Sequence, residues 1–278
     1  MTERVTLYEV GPRDGLQNEA RIIPAAHKIA LIDMLSETGL TKIAATSFVS
    51  PKWVPQMADA AEVMAGINRA PGVDYAVLTP NRRGLDAALE ADVAEVAVFL
   101  SASEGFSKAN VNATVAESVA RAKPLVAAAL AAGVRVRGYV SCITDCPYDG
   151  PTPRAAVAEV AGALRAMGCA EVSLGDTIGR AVPETLAPVL DAVLELVPAA
   201  ALAGHYHDTG GRALDNIRLS RDRGLRVFYA SVGGLGGCPY APGAAGNVDT
   251  VAAHGVVEGL GCETGVNGDG LRRAAAYA

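Results

Sequence analysis

The chain has 278 residues, a formal net charge of -6, and a composition that is 50% hydrophobic but only 5% aromatic. That length fits one large α/β barrel or two modest domains, with a core built mainly from Ala, Val, Leu and Ile. An acidic balance with no Lys/Arg-rich cluster excludes a nucleic-acid surface, and no apolar run is long and clean enough to span a bilayer. Five cysteines, an odd number, suit a reducing cytosol better than a disulfide scaffold. A strand reached by Val5 leaves no room for a signal peptide, so a soluble cytoplasmic protein is expected.

The first predicted strand, 5–10, runs into Glu9-Val-Gly-Pro-Arg-Asp-Gly-Leu-Gln-Asn-Glu19. Arg13 and Asp14 sit there between Gly11-Pro12 and Gly15, just past a strand that should be buried. Such charges are costly unless both find partners. Either they pair with each other in a tight turn, or Asp14 holds a cation and Arg13 faces an oxyanion. A helix is predicted over 25–38, with Ile29, Ile32 and Leu35 at helical spacing, Pro24 at its start and Gly39 at its end. A β-like run, 42–47, follows at once.

This helix-to-strand pattern recurs. Gly72, Gly133, Gly168 and Gly224 precede runs at 73–78, 134–141, 170–174 and 225–231, while Asp92 and Pro198 precede runs at 93–100 and 199–206. Glycine at a helix end supplies the left-handed turn back into a sheet. Eight strands, seven of them preceded by helix-like sequence, imply a parallel sheet and have the size of a (β/α)8 TIM barrel in a single domain spanning 1–278. The rival, an open doubly wound sheet, normally carries a Gly-x-Gly-x-x-Gly turn after its first strand, and none is present.

A barrel puts its chemistry just past the strand ends, and polar residues recur there. Arg13 and Asp14 follow the first strand, Thr46 and Ser47 the second, Thr79 and Asn81 the third, and Ser103 and Glu104 the fourth. Tyr139 and Ser141 end the fifth, Asp176 follows the sixth, and His205 and His207 end the seventh. Alternate residues of a strand share a face, so both imidazoles can point the same way. Adding Asp14 and Asn247 gives two imidazoles, a carboxylate and an amide oxygen with positions left open. That set suits Mg²⁺ or Mn²⁺ better than a closed structural zinc site. Asp208 reads as a helix cap or as an orienter of the ligands.

After the eighth strand comes a glycine-rich active-site loop, Ser231 to Asn247, presenting one thiol, Cys238. Cys142, Cys146, Cys169 and Cys262 read as structural.

Together these stretches carry a family resemblance. The first motif, Thr46-Ser-Phe-Val-Ser-Pro-Lys-Trp-Val-Pro-Gln56, Arg137-Gly-Tyr-Val-Ser-Cys142, Ser173-Leu-Gly-Asp-Thr-Ile-Gly179 and Gly234-Leu-Gly-Gly-Cys-Pro-Tyr240 resemble hydroxymethylglutaryl-CoA lyases, of the DRE-TIM metallolyase superfamily. The resemblance runs from the first strand to about Val266. It implies a TIM barrel, a divalent cation, and retro-Claisen cleavage of a 3-hydroxyacyl-CoA to acetyl-CoA and a keto acid. It places Asp14, His205, His207 and Asn247 on the metal and makes Arg13 the stabiliser of the thioester enolate. Cys238 becomes the proton-transfer group, and Asp176 assists near the substrate hydroxyl. Gln17, Ser47, Ser103, Tyr139 and Thr177 are expected to contact the acyl-CoA substrate. The group that takes the hydroxyl proton stays open among Asp176, His205 and Cys238.

The chain departs from the family where a Glu is usual and Ala44 stands, where an acid is usual and Val251 stands, and where a Lys is usual and Ala20 stands, beside Arg21. The tail after Val266 reads as stopping short of the family's last helical segment. These departures leave other readings: a citramalyl-CoA or longer 3-alkyl ester, a forward Claisen-type synthase, or a silent binding barrel. Asp249 is a candidate substitute for the missing acid, and a homo-oligomer is compatible with the sequence.

Overall fold

A computed structural model describes residues 2–236 and 246–278. Eight parallel strands close into a barrel: β1 Thr6–Glu9, β2 Lys42–Ser47, β3 Asp74–Leu78, β4 Glu95–Ser101, β5 Arg135–Ser141, β6 Glu171–Asp176, β7 Leu202–Tyr206 and β8 Val227–Ala230. Their order around the barrel is their order in the chain, and helices lie between them, as in a (β/α)8 TIM barrel. Among the described residues no helix is long and apolar enough to cross a membrane.

The helices are α1 Ala25–Ser36, α2 Ala60–Gly66, α3 Arg82–Glu90, α4 Glu104–Val111, α5 Val115–Ala131, α6 Arg154–Ala166, α7 Pro183–Leu194, α8 Ala213–Asp222, α9 Thr250–Gly259 and α10 Gly268–Tyr277. The helix-end glycines do what their positions predict. Gly39, Gly133, Gly168 and Gly224 have φ of 90°, 77°, 101° and 97°, the left-handed region closed to most side chains. Asp92 does the same after α3 with φ 52°, where its short polar side chain tolerates the turn.

By its internal contacts the chain divides into two compact units. One holds the described residues up to Val96 with Val227–Gly236 and Gly246–Ala278, and the other holds Ala97–Arg226. In the first unit β8 pairs with β1 from Val227 opposite Thr6 to Ala230 opposite Glu9, and β1 pairs with β2 through Tyr8 and Lys42. Tyr8 and Tyr229 stack across that seam at 4.4 Å. The register of β2 on β3 slips between Ala44 and Thr46, a bulge at the strand's exit. Leu31, Ile32 and Leu35 of α1 are buried, each contributing about 1.5–3 kcal/mol. Lys42 reaches Asp74 at 3.4 Å and the buried Glu95 at 3.8 Å, so the charges at this end are paired.

In the second unit β5 pairs with β6 from Arg137 opposite Glu171 to Ser141 opposite Gly175. β6 pairs with β7 from Val172 opposite Leu202 to Asp176 opposite Tyr206. Arg137, the bulkiest fully buried side chain, is satisfied by Glu171.

Several boundaries differ from the sequence reading. The predicted helix over 25–38 ends at Ser36, and the strand predicted from 93 begins at Glu95. The run from 199 opens with a 3-10 turn, Ala199–Ala201, before β7. Past β4 the chain forms α4 and then α5, which Thr114 and Glu117 start with a reciprocal capping box. A short antiparallel pair, Asp145–Cys146 with Gly150–Pro151, follows β5. After Val266 the chain forms α10, and the Asn267 side chain accepts from the Asp269 and Gly270 N–H groups at its start.

Candidate functional site

The Arg13-Asp14 segment is a single π-type turn, Gly11–Gly15, right after β1. The Val10 carbonyl accepts from the N–H groups of Arg13, Asp14 and Gly15 at 3.2, 2.8 and 3.1 Å. Such wide turns are uncommon and recur at functional sites. Of the two sequence alternatives for the charged pair, the mutual pairing is the one observed. Arg13 Nη1 donates to Asp14 Oδ1 at 2.5 Å, with both side chains largely buried, while the other oxygen of Asp14 turns elsewhere.

Asn247 Nδ2 donates to Asp14 Oδ2 at 2.9 Å and to the Leu235 carbonyl at 3.3 Å. Gly236, with φ 101°, permits this approach, since a Cβ there would lie 2.9 Å from Asn247 Nδ2 and 3.0 Å from the Asp14 carbonyl. With its amide nitrogen committed, Asn247 has only Oδ1 to offer a cation. Gln17 Nε2 lies 3.4 Å from Asp14 Oδ1, and the Ser47 hydroxyl lies 3.5 Å from the Leu78 carbonyl.

Beneath this turn is a group the sequence reading passed over. Glu9 ends β1 with its side chain fully buried. Its Oε1 accepts from the Gly11 and Val232 N–H groups at 2.7 and 2.9 Å, and its Oε2 accepts the Thr250 hydroxyl at 2.7 Å. Burial pushes its carboxyl up to about 7 from an ordinary 4.5, against the opposing pull of those hydrogen bonds. The only signal in the sequence was an acidic residue closing an apolar strand.

A stability prediction follows from that shift. Because the folded value is raised, the folded state prefers protonated Glu9. The penalty is absent below about pH 4.5, grows from there to about pH 7 and is complete above it. Glu9→Gln removes it, so the variant should gain up to about 3 kcal/mol over wild type on going from pH 4.5 to above pH 7. Chemical denaturation at the two pH values measures the difference; a gap that does not change with pH would refute the assignment.

Asp249, proposed from sequence as a substitute acid, is occupied otherwise. It caps α9, accepting from the Ala252 N–H at 3.0 Å, and holds the Gly233 N–H at 2.9 Å. It therefore serves as a clamp on local backbone, as N-cap carboxylates do.

In the second unit, His205 and His207 lie at the exit of β7 with ring centroids 5.5 Å apart, and both are largely buried. Tyr139 meets His205 edge-on at 6.1 Å. Asp208 Oδ1 accepts from the Ala213 N–H at 3.0 Å, the first residue of α8, although Arg212 occupies the N-cap position. Asp176 closes β6, and its two oxygens accept from the Arg180 and Ala181 N–H groups at 3.2 and 2.9 Å. Burial raises its carboxyl to about 6.

Two further hydroxyls have local work. The Thr177 hydroxyl accepts from the Cys142 N–H at 2.8 Å, and Cys142 itself has a left-handed φ of 61°. Ser103 caps α4 and donates to Asp149 at 2.7 Å. Cys142, Cys146, Cys169 and Cys262 are buried, and burial pushes the Cys169 thiol up to about 12. Cys238 lies outside the described residues.

Asp14, His205 and His207 each offer one ligand atom within 4.8 Å of the others, the one such cluster of three found among the described residues. One carboxylate and two imidazoles, with the Asn247 amide nitrogen hydrogen-bonded to the carboxylate, fit a divalent cation that keeps open coordination positions.

The HMGL-like family model matches residues 4–277. The chain belongs to the HMGL-like family. It is 54% identical over 275 residues to the mitochondrial hydroxymethylglutaryl-CoA lyase of Bos taurus, a match covering 99% of this chain and 85% of that protein. It is likewise 54% identical over 267 residues to a 3-hydroxy-3-isohexenylglutaryl-CoA/hydroxymethylglutaryl-CoA lyase of Pseudomonas aeruginosa, covering 96% of this chain and 89% of that one. The crystal structure of the HMG-CoA lyase from Brucella melitensis superposes with a TM-score of 0.97 at 62% identity, covering 99% of this chain and 97% of that chain.

The HMGL-like match includes α10, beyond the limit near Val266 that the sequence motifs reached. Of the departures from the usual HMGL-like pattern, Ala44 is buried in β2, two residues from Lys42 and hence on the same strand face. Val251 lies in the first turn of α9.

Proposed function

We propose that the chain is a divalent-metal-dependent carbon–carbon lyase. It cleaves a 3-hydroxy-3-methylglutaryl-CoA-like ester to acetyl-CoA and a keto acid, acetoacetate for hydroxymethylglutaryl-CoA itself. The observation that carries this reading is the meeting of Asp14, His205 and His207 in a chain that is half identical to named lyases of that ester along nearly its whole length.

Asp14, His205, His207 and the Asn247 amide oxygen would hold the cation, Mg²⁺ or Mn²⁺. Bound there, it supplies Lewis-acid polarisation of the substrate C3 hydroxyl and a fixed point for a substrate carboxylate. Breaking the C2–C3 bond leaves an enolate on the acetyl-CoA fragment. Arg13 stabilises that oxygen, because its guanidinium stays charged and is already largely removed from water. Cys238, as thiolate, takes the C3 hydroxyl proton and, as thiol, delivers it to the enolate carbon. Asp176, with a carboxyl near 6 and each oxygen accepting one backbone N–H, keeps acceptor capacity to assist near the substrate hydroxyl. Gln17, Ser47, Ser103, Tyr139 and Thr177 are the proposed substrate contacts.

Coupled detection of acetyl-CoA over a panel of 3-hydroxy-3-alkylglutaryl- and citramalyl-CoA esters tests the reaction. Chelation should abolish release, and Mg²⁺ or Mn²⁺ should restore it. Turnover that ignores chelation would overturn the metal assignment, release from none of the esters would favour a silent barrel, and net condensation would favour a synthase.

A second reading, a bulkier group at C3, is favoured by Ala44. Ala44 is a small buried residue where the family usually places a Glu, and the Pseudomonas relative is named for both an isohexenyl and a methyl ester. Ala44→Glu should shift kcat/KM toward hydroxymethylglutaryl-CoA over the isohexenyl ester by ~10-fold or more, the scale of a small pocket change. An unchanged ratio would mark Ala44 as neutral drift.

A further inference from the structure

We propose that Glu9 is a positioning residue for the metal-holding half of this site, an inference that rests on the functional reading above. Its three hydrogen-bond donors come from three separate stretches of chain, and each stretch bears on a proposed site residue. Gly11 opens the turn that presents Arg13 and Asp14. Val232 begins the turn that leads to Leu235, whose carbonyl receives the Asn247 amide. Thr250 stands three residues past Asn247, at the first position of α9. One carboxylate therefore sets the spacing between Asp14 and Asn247, although it touches neither.

Local geometry is built for this contact. The Gly11 N–H reaches back two residues to Glu9 Oε1, and a Cβ on Gly11 would sit 2.7 Å from that oxygen. Every partner of Glu9 is neutral, with no Lys or Arg among them. A buried carboxylate without a counter-cation is a poor device for stability, because a well-packed apolar residue would serve better. What it offers is two acceptor oxygens in a fixed plane, able to hold three donors at once. A displacement of about 1 Å at a ligand or charged group is enough to lose ~100-fold in rate.

The test compares Glu9→Ala, Glu9→Gln and Thr250→Val with wild type, reading Mn²⁺ affinity by titration and kcat and KM by acetyl-CoA release. Glu9→Ala should weaken Mn²⁺ binding ~10–100-fold, the range typical of groups that orient metal ligands, and lower kcat with little change in KM. Glu9→Gln keeps an oxygen for both N–H groups and an amide for Thr250, so it should restore both quantities. Thr250→Val removes a single tie and covers the case in which Glu9→Ala does not fold; a loss of ~3–10-fold in Mn²⁺ affinity is expected there. Wild-type Mn²⁺ affinity and turnover per folded molecule in Glu9→Ala or, if that fails to fold, in Thr250→Val would overturn the proposal and leave Glu9 a purely structural residue. Failure of Glu9→Gln to recover would overturn it too. If wild type binds Mn²⁺ and the variants change its affinity, but no ester releases acetyl-CoA, the positioning role stands and the reaction falls. A wild type that binds no Mn²⁺ overturns both.

Discussion

Arg13→Gln is expected to lower kcat by ~10²–10³-fold while leaving Mn²⁺ affinity intact or improved. The first half follows from the proposed role, since removing one preorganised donor at a developing oxyanion costs that much in a site shielded from water. The second half follows from the observed pairing. Arg13 occupies Asp14 Oδ1 at 2.5 Å, and a cation arriving at the same carboxylate competes with the guanidinium for its electron density. Glutamine removes the competing charge. Single-turnover kinetics paired with a Mn²⁺ titration would separate the two effects. Loss of metal binding in step with loss of rate would mean that Arg13 serves only to hold Asp14.

Asp14→Asn should do the opposite. The substitution is nearly isosteric and retains an oxygen, but it removes the only carboxylate of the cluster. Groups that merely orient ligands are worth ~10–100-fold in metal affinity, so a direct anionic ligand should cost ~100-fold or more. The variant should fold, because its backbone is fixed by the Val10 carbonyl and not by the side chain. Its residual activity should rise with added Mn²⁺, whereas that of Arg13→Gln should not. Wild-type Mn²⁺ affinity in a folded Asp14→Asn would remove Asp14 from the ligand set.

The barrel was legible because its punctuation is chemical. A glycine at a helix end is visible in one letter, and Gly39, Gly133, Gly168 and Gly224 each take the left-handed conformation their position requires. The closeness of His205 and His207 was legible for a similar reason, since alternate residues of one strand share a face.

What escaped was anything decided by long-range pairing. Glu9 looks like any acid beside a loop until Val232 and Thr250 come to it from more than 220 residues away. Ser103 follows β4, and its spacing did not announce that its hydroxyl caps α4 and meets Asp149. Asp249 read as a candidate substitute for a missing family acid, yet α9 begins one residue later and its carboxylate caps it. A residue beside a strand end is as easily taken by a cap as by a substrate. The Arg21 segment offers a fourth case: the Gln56 amide holds the carbonyls of Glu19 and Arg21 and the N–H of Ile23, a clamp no spacing rule announces.

The single turn Gly11–Gly15 also constrains how such a barrel can diversify. Its path is dictated by one carbonyl and its two charged side chains are consecutive, so no insertion or shift can move one without the other. Under the proposed roles, a change in what is cleaved would come from outside that turn, at sites such as Ala44. The bond-breaking step would be inherited as a unit, and substrate range would be the trait free to drift.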